Sequence, residues 1–198
     1  GGTVIMTAKV AGELATLAIN NDGIIEATSL ARGDGGTIRL LADGGTVTNS
    51  GTLNASAAEG KGGHIEVTGK RVGILDDAVV DASGATGGTV LLGGDYQGKN
   101  TAVSNAELTY IAQGATVRAN ATNQGDGGKV IVWSDDRTAF YGNIEAKGGT
   151  ASGNGGFVEV SGKQYLDFQG TVNTSAANGR NGTLLLDPTN LTIGNVGT

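Results

Sequence analysis

The chain has no cysteine and only one proline among its 198 residues, and aromatic residues make up 4% of it. Without cysteine it can form neither disulfides nor thiolate metal sites, a composition that suits a secreted protein which crosses membranes unfolded. The scarcity of proline, together with glycines that do not fall at every third residue, excludes a collagen triple helix. With so few aromatics, we predict a thin core built from Val, Ile, Leu and Ala.

Charge and hydropathy exclude two classes of partner. There are 13 basic against 19 acidic residues, the formal net charge is −6, and no basic cluster occurs. We therefore expect binding to neither nucleic acid nor anionic membrane. No segment contains the run of roughly 18 apolar residues that a membrane span needs. Because both ends of the sequence lie inside the repeat described next, we expect residues 1–198 to be a single segment excerpted from a longer chain.

Glycine is abundant, with 37 residues, and it disfavours helices, since each glycine costs about 1 kcal/mol relative to alanine inside a helix. Many of these glycines precede a short apolar stretch. The copies are "GGTVIM" at 1, "GGTIRL" at 35, "GGHIEV" at 62, "GGTVLL" at 87, "GGKVIV" at 127, "GGFVEV" at 155 and "NGTLLL" at 181. A second motif lies between these copies and ends at Ala27, Ala55, Ala82, Ala119, Ala146 and Thr174, with successive spacings of 28, 27, 37, 27 and 28.

Apolar and polar residues alternate within each copy, which predicts strands with one buried face. Strands this short bury little surface alone, so each unit must stack on the next. We predict an all-β, right-handed parallel β-helix of about seven coils with a period of about 27 residues. The double glycines are expected to turn the chain at the same corner of each coil by adopting positive φ.

One interval of 37 residues indicates a lateral insertion near residues 91–112, which carries Tyr96 and Tyr110. Loops that leave a regular solenoid often hold its functional residues. The alternative is that the insertion packs its tyrosines on the rod, and we favour this alternative.

The phrases "GDGGKVIVWSDDRTAFYGNIEAKGG", "GNGGFVEVSGK", "GRNGTLLLDPTNLTI" and "GGDYQGKN" resemble the filamentous-haemagglutinin-like exoproteins of two-partner secretion, the large adhesins of Gram-negative bacteria. The resemblance covers most of residues 87–193 and only the general repeat style before them. It implies a β-helical shaft that is secreted unfolded through a dedicated outer-membrane partner and displayed on, or released from, the cell surface. The secretion domain that begins such proteins is not visible, so the resemblance places this segment in the shaft of an adhesin or biofilm-matrix protein.

Arg32, Gly33 and Asp34 spell the tripeptide that integrins recognise. The corresponding stretches before residues 127 and 155 read "GDGG" and "GNGG", so Gly33 and Asp34 belong to the repeated corner. Asp and Asn favour turns because their side chains bond nearby backbone amides. We favour a turn, with a host-receptor ligand as an alternative function.

Acid pairs occur at 76–77 and 135–136, the second followed by Arg137. On a β-helix they suggest an alternative function, a pectin-lyase-like polysaccharide-degrading enzyme, in which paired carboxylates do acid and base work. That alternative predicts that Asp77 converges with residues 135–137 in one groove. The phrases typical of galacturonan hydrolases are missing, and the only histidine, His64, follows a corner glycine. We therefore predict solvated loop charges and no catalysis.

No cofactor and no metal are predicted. The nonapeptide of calcium-binding β-rolls does not occur, although a calcium site shared between Asp22, Asp34 or Asp43 at stacked corners stays open from sequence. Terminal coils without caps leave end-to-end or lateral self-association possible.

Aromatic residues give the last candidate contact. Trp133 and Phe157 alternate outward in the predicted register, and exposed aromatic rings can stack on sugars. Trp133, Tyr96 and Tyr110 are therefore candidate contacts for surface or matrix polysaccharide, unless the insertion or a neighbouring loop covers Trp133 and Phe157.

Overall fold

The computed structural model describes residues 1–10, 17–29 and 33–189, and within these ranges it is a parallel β-solenoid with three sheets. Strands along the chain enter the three sheets in turn, and each strand pairs in parallel with its equivalents in the adjacent coils. The described residues form the three strands of each of six successive coils and the first strand of a seventh. The predicted parallel β-helix is thus confirmed.

Sheet A has seven strands, and sheets B and C have six each. Sheet A contains β1 (Thr3–Lys9), β4 (Thr37–Asp43), β7 (His64–Thr68), β10 (Thr89–Leu92), β13 (Lys129–Ser134), β16 (Phe157–Gly162) and β19 (Thr183–Leu185). Sheet B contains β2 (Leu17–Asn21), β5 (Thr46–Asn49), β8 (Arg71–Ile74), β11 (Leu108–Ile111), β14 (Arg137–Phe140) and β17 (Tyr165–Phe168). Sheet C contains β3 (Ile24–Glu26), β6 (Thr52–Asn54), β9 (Val79–Asp81), β12 (Thr116–Arg118), β15 (Asn143–Glu145) and β18 (Thr171–Asn173).

The register of sheet C reproduces the spacing read from the sequence. Ile24 pairs with Thr52, and Thr52 pairs with Val79, while the wider step from Val79 to Thr116 spans the coil with the insertion. Equivalent inward residues therefore lie on top of one another, about 4.8 Å apart. The core is a set of aliphatic columns, of which one in sheet A runs Ile38, Ile65, Val90, Val130 and Val158.

Buried asparagine and threonine side chains interrupt this core, and they are hydrogen-bonded. At the corner between sheets B and C, the Asn21 amide donates to the Asn49 side chain at 2.6 Å, and each amide also donates to a glycine carbonyl two residues on. In sheet B, the hydroxyls of Thr109 and Thr138 donate to the carbonyls of Trp133 and Ser161.

The double glycines serve close backbone approach, so the expectation of positive φ at these corners is wrong. None of the glycine pairs that open the repeated strands, at 35–36, 62–63, 87–88, 127–128 and 155–156, has φ in the left-handed region. A Cβ on Gly63 would lie 2.1 Å from the carbonyl oxygen of Gly36, and one on Gly128 would lie 2.1 Å from that of Gly88. The backbones of stacked corners touch, and a side chain would separate the coils.

The same corner explains the alanines that end the second motif. The N–H of Gly63 donates to the carbonyl of Ala55, and the N–H of Gly128 donates to that of Ala119. Both alanines are fully buried. A larger side chain there would collide with the glycine backbone, so small residues recur at both positions.

The insertion occupies residues 93–107 between β10 and β11, where neighbouring coils use only residues 69–70 or 135–136. It contains a short 3-10 helix, Tyr96–Gly98. Its bounds are narrower than the predicted 91–112, because Leu91 and Leu92 still belong to β10. Tyr110 lies in the regular strand β11 and is not part of the insertion.

Candidate functional site

The insertion folds back over the outer face of sheet A and forms a second, smaller core there. Leu91, Ile131 and Trp133 point away from the main core and pack with Val103 of the insertion, and Phe157 lies against this cluster. A Cβ on Gly94 would lie 2.7 Å from Trp133 Cδ1, and one on Gly98 would lie 2.6 Å from its Nε1. These glycines let the insertion approach the indole ring.

Polar contacts fix the insertion in place. Lys129 Nζ lies 2.7 Å from the carboxylate of Asp95, and Gln97 Nε2 donates to Asp187 at 2.8 Å. Asp135 accepts hydrogen bonds from Trp133 Nε1 at 3.1 Å and from the Asn105 amide at 3.2 Å. The insertion is therefore attached to several successive coils.

Glu159 is a fully buried carboxyl under the insertion. Its Oε2 accepts the backbone N–H of Gln97 at 3.1 Å, whereas its Oε1 has no hydrogen-bond partner among the described residues. Burial raises the pKa of Glu159, the N–H of Gln97 and the side chain of Ser161 lower it, and the nearby carboxylates of Asp187 and Asp95 raise it; the net shift is upward. This carboxyl has no cation beside it in the described structure.

Glu66, in the same outward row of sheet A, is the contrasting case. Arg39 donates to both of its oxygens, at 2.9 and 3.2 Å, and His64 Nε2 lies 3.5 Å away. Burial alone would raise the pKa of Glu66, but the hydrogen bonds and charges of His64 and Arg39 outweigh it and lower the pKa. His64 thus belongs to the polar group around Glu66.

The outer face of sheet B carries an open groove of about 500 Å³. Tyr110 lies in its floor row between Gly73, one coil before, and Ala139, one coil after. The adjacent row places Arg71 and Arg137 on either side of Leu108. Tyr141 contacts Tyr110 edge to face, with ring centroids 5.7 Å apart and an angle of 73° between the rings.

The three aromatic residues predicted to contact sugar lie in separate places. Trp133 points outward as predicted, but the insertion covers it and leaves 4% of it exposed, so sugar contact there would require the insertion to move. Tyr96 is 45% exposed and packs edge to face on Phe157. Tyr110 is 41% exposed on the sheet B face.

The integrin-type tripeptide lies only partly within the described residues, since Arg32 is outside them. Asp34 Oδ1 accepts the backbone N–H of Lys61 at 2.9 Å, one coil on. Asp126 and Asn154 accept backbone N–H groups of the following coil in the same way. Asp34 therefore belongs to a repeated contact that joins the corners of adjacent coils.

The acid pairs lie at different corners of the coil. Residues 76–77 connect β8 to β9, between sheets B and C, whereas residues 135–136 connect β13 to β14, between sheets A and B. Asp135 is occupied by Trp133 and Asn105, and Arg137 lies over the Tyr165 ring at 4.8 Å from its centroid.

The calcium alternative finds no cluster to support it. Asp43 forms an exposed ion pair with Lys9. Across the described ranges, no three histidine, aspartate or glutamate side chains group closely enough to hold a metal ion. The same ranges contain no helix that is long and apolar enough to cross a membrane.

Sequence reasoning missed the groove around Tyr110 and the buried carboxyl of Glu159. The groove depends on which residues lie side by side in different coils. An alignment of "RVGI", "LTYI" and "RTAF" as equivalent strands would have shown the glycine, tyrosine and alanine in one row.

The chain was compared with protein families, curated proteins and solved structures. No family model and no curated protein matches the chain. The fold is similar to that in the crystal structure of the HMW1 secretion domain from Haemophilus influenzae, with a TM-score of 0.71, 29% sequence identity and 94% of this chain covered. The chain spans about half of that structure, 48% of its length. The similar protein is a secretion domain, so the placement of this chain in a shaft downstream of one stays a prediction.

Proposed function

We propose that this chain is a stiff β-solenoid segment of a secreted exoprotein of the filamentous-haemagglutinin-like class, exported by a dedicated outer-membrane partner of a Gram-negative bacterium. The observation that carries the proposal is the likeness of 94% of the chain to the HMW1 secretion domain. The role of the segment is mechanical: it contributes to the rod that presents an adhesin or matrix protein at the cell surface.

The construction of the rod supports this role. Each coil repeats the contacts of the previous one, so coils can fold in succession as the chain emerges. Each fully buried inward aliphatic contributes about 1.5 to 3 kcal/mol, and these contributions recur in every coil. The sequence has no cysteine, so no disulfide can form before or during passage through a membrane.

The charged side chains also fit a structural role better than an enzymatic one. Asp135 accepts a hydrogen bond from Trp133, on which the insertion packs, and Asp34 accepts one from the next coil. The acid pairs occupy different corners, so residues 76–77 and 135–136 do not form the single groove that a polysaccharide-degrading enzyme would need.

Export in the unfolded state gives the direct test. Thr116 and Asn143 are outward-facing register partners in sheet C, and partners in adjacent strands lie about 4.8 Å apart, a separation that a disulfide can bridge. The full natural chain carrying Thr116→Cys and Asn143→Cys would be produced together with its outer-membrane partner, with and without a thiol reductant. We expect the cross-linked chain to stay inside the cell and the reduced chain to be exported.

The two single-cysteine variants are the controls, and both should be exported under either condition. A gel shift between reduced and unreduced samples confirms the cross-link. Export of the fully cross-linked chain at the wild-type level would overturn the proposal of unfolded export.

A further inference from the structure

The shape of the groove on the outer face of sheet B follows from the different sizes of Gly73, Tyr110 and Ala139, which lie in one row. Gly73 leaves a hollow on one side of the Tyr110 ring, and Ala139 leaves a shallower one on the other side. The atoms nearest to a Cβ on Gly73 would belong to side chains, Leu75 Cδ2 at 3.1 Å and Thr48 Cγ2 at 3.5 Å, and the φ of Gly73 lies outside the left-handed region. The backbone does not require glycine here, so the hollow itself is the feature to explain.

The aromatic side of the groove is formed by Tyr110, whose ring is accessible to a ligand, and by Tyr141 beside it. Tyr110 retains 41% exposure, and Tyr141 holds it edge to face. The Tyr141 hydroxyl donates to Asp167 at 2.7 Å, which fixes the second ring. Rigid, exposed aromatic rings with polar groups beside them suit the apolar faces of sugar rings.

Two arginines give the groove a positive charge, although the net charge of the chain is −6. Arg71 and Arg137 are both exposed and lie two coils apart, about 10 Å at the spacing of adjacent strands. Neither forms an ion pair within the described residues, although the Arg137 guanidinium lies over the Tyr165 ring. No acidic residue lines the groove, in a chain whose net charge is −6.

Two acidic residues lie near the groove without lining it. Asp167 lies one coil beyond Ala139 and accepts hydrogen bonds from Tyr141 and Gln169. Glu107, next to Leu108, lies 3.6 Å from Lys70. Among the residues that line the groove, the two arginines are the charged ones.

We propose that this groove binds an acidic polysaccharide in extended form along the rod axis, with a sugar ring stacked on Tyr110 and sugar carboxylates paired with Arg71 and Arg137. A guanidinium donates two parallel hydrogen bonds to a carboxylate, a geometry that neutral sugars cannot use. The spacing of the arginines along the axis favours a polymer over a single sugar. This ligand adds to the structural role proposed above and does not depend on the route of export.

Binding can be measured by titration calorimetry of the purified chain at low salt with three probes. These are an oligogalacturonate, the same oligomer with its carboxyl groups methyl-esterified, and a single-stranded oligothymidylate. We expect the oligogalacturonate to bind, and the esterified oligomer and the oligothymidylate to bind at least tenfold more weakly.

Substitutions in the groove test whether the oligogalacturonate binds there. The double change Arg71→Gln with Arg137→Gln removes both charges, Tyr110→Ala removes the wall, and Gly73→Thr fills the hollow in a position where the backbone accepts a side chain. Each should weaken oligogalacturonate binding at least fivefold. The matched control is Arg118→Gln with Lys147→Gln, which removes the same charge beside Glu145 on the other side of the coil.

The control variant should bind within twofold of the wild-type chain, and melting curves check that every variant is folded. Equal weakening by the control variant, or equal binding of oligothymidylate, would show only general attraction of anions and would overturn the proposal. Absence of oligogalacturonate binding to the wild-type chain at millimolar concentration would overturn it as well. Both results would leave the export experiment unaffected.

Discussion

The Asp34 carboxylate accepts a hydrogen bond from the backbone N–H of Lys61, 27 residues later and one coil on, at 2.9 Å. Asn154 makes the equivalent contact with Arg180 through its amide oxygen at 3.0 Å. The contact therefore needs an oxygen acceptor and does not need a negative charge. This separates the structural role of Asp34 from any role in receptor recognition.

We expect Asp34→Ala to lower the free energy of unfolding by about 1 kcal/mol, the net contribution of one hydrogen bond. Asp34→Asn should leave stability within about 0.5 kcal/mol of the wild type, because the amide oxygen replaces the carboxylate oxygen. Thermal melting of both variants checks this. Equal destabilisation by the two changes would show that the charge itself matters.

The same pair of variants tests the integrin alternative. If Arg32 to Asp34 bind a receptor, attachment of cells to the immobilised chain should fall sharply with both Asp34→Asn and Asp34→Glu. We expect attachment to be the same for Asp34→Asn and the wild-type chain.

Trp133 is the only tryptophan, so its fluorescence reports whether the insertion is packed against its ring. Because it is buried against Leu91, Ile131 and Val103, we expect blue-shifted emission and weak quenching by acrylamide. Val103→Asp buries a charge in this cluster and should shift the emission to the red and increase quenching, while the solenoid stays folded by circular dichroism.

The exposed neighbour Ala102 offers the matched control for that experiment. Ala102→Asp introduces the same charge outside the cluster and should leave the emission unchanged. Strong quenching of Trp133 in the wild-type chain would contradict the covered position of the ring.

Because the pKa of Glu159 is raised, we expect this residue to make the folded chain less stable as the pH rises. Its pKa is raised in the folded chain, so the folded state binds the proton more tightly than the unfolded state, and stability falls as the pH rises from about 4.5 through the folded pKa. Glu159→Gln should therefore raise the melting temperature at pH 7, by about 2 to 4 °C for each 1 kcal/mol regained, and change it little at pH 4.

Glu145 gives the control with the opposite sign. Burial raises its pKa, but hydrogen bonds from Asn120 and Lys147 and the positive charges of Lys147 and Arg118 outweigh burial and lower it. The stability it contributes is present above about pH 4.5 and is lost as the pH falls through the folded pKa. Glu145→Gln should lower the melting temperature at pH 7. A fall at pH 7 for both glutamine variants would contradict the account of Glu159.

The fold could be predicted from the sequence because each coil repeats the same alternation of residues and the same spacing. The alternation in "HIEV" and "FVEV" predicts one buried face, and the spacing between Ala27, Ala55 and Ala82 predicts the register that Ile24, Thr52 and Val79 adopt. Stacking identical positions makes these short patterns additive, so a weak signal in one strand becomes decisive over several coils.

The candidate sites were less predictable, because they depend on contacts across coils. The outward direction of Trp133 follows from alternation, but its cover depends on where residues 93–107 fold back. The hollow beside Tyr110 requires Gly73 and Ala139 to lie next to it in register. For the double glycines, the sequence shows where the corners lie but does not distinguish positive φ from close backbone approach.

The register of adjacent coils is the claim on which the whole account depends, and cysteine cross-linking of the purified chain tests it most directly. Thr116 pairs with Asn143, so the variant Thr116→Cys with Asn143→Cys should oxidise quickly and almost completely to an intramolecular disulfide. The variant Thr116→Cys with Glu145→Cys keeps both cysteines on the same face but two residues out of register, and it should oxidise far more slowly. Equal rates for the two variants, or faster oxidation of the second, would contradict the solenoid register.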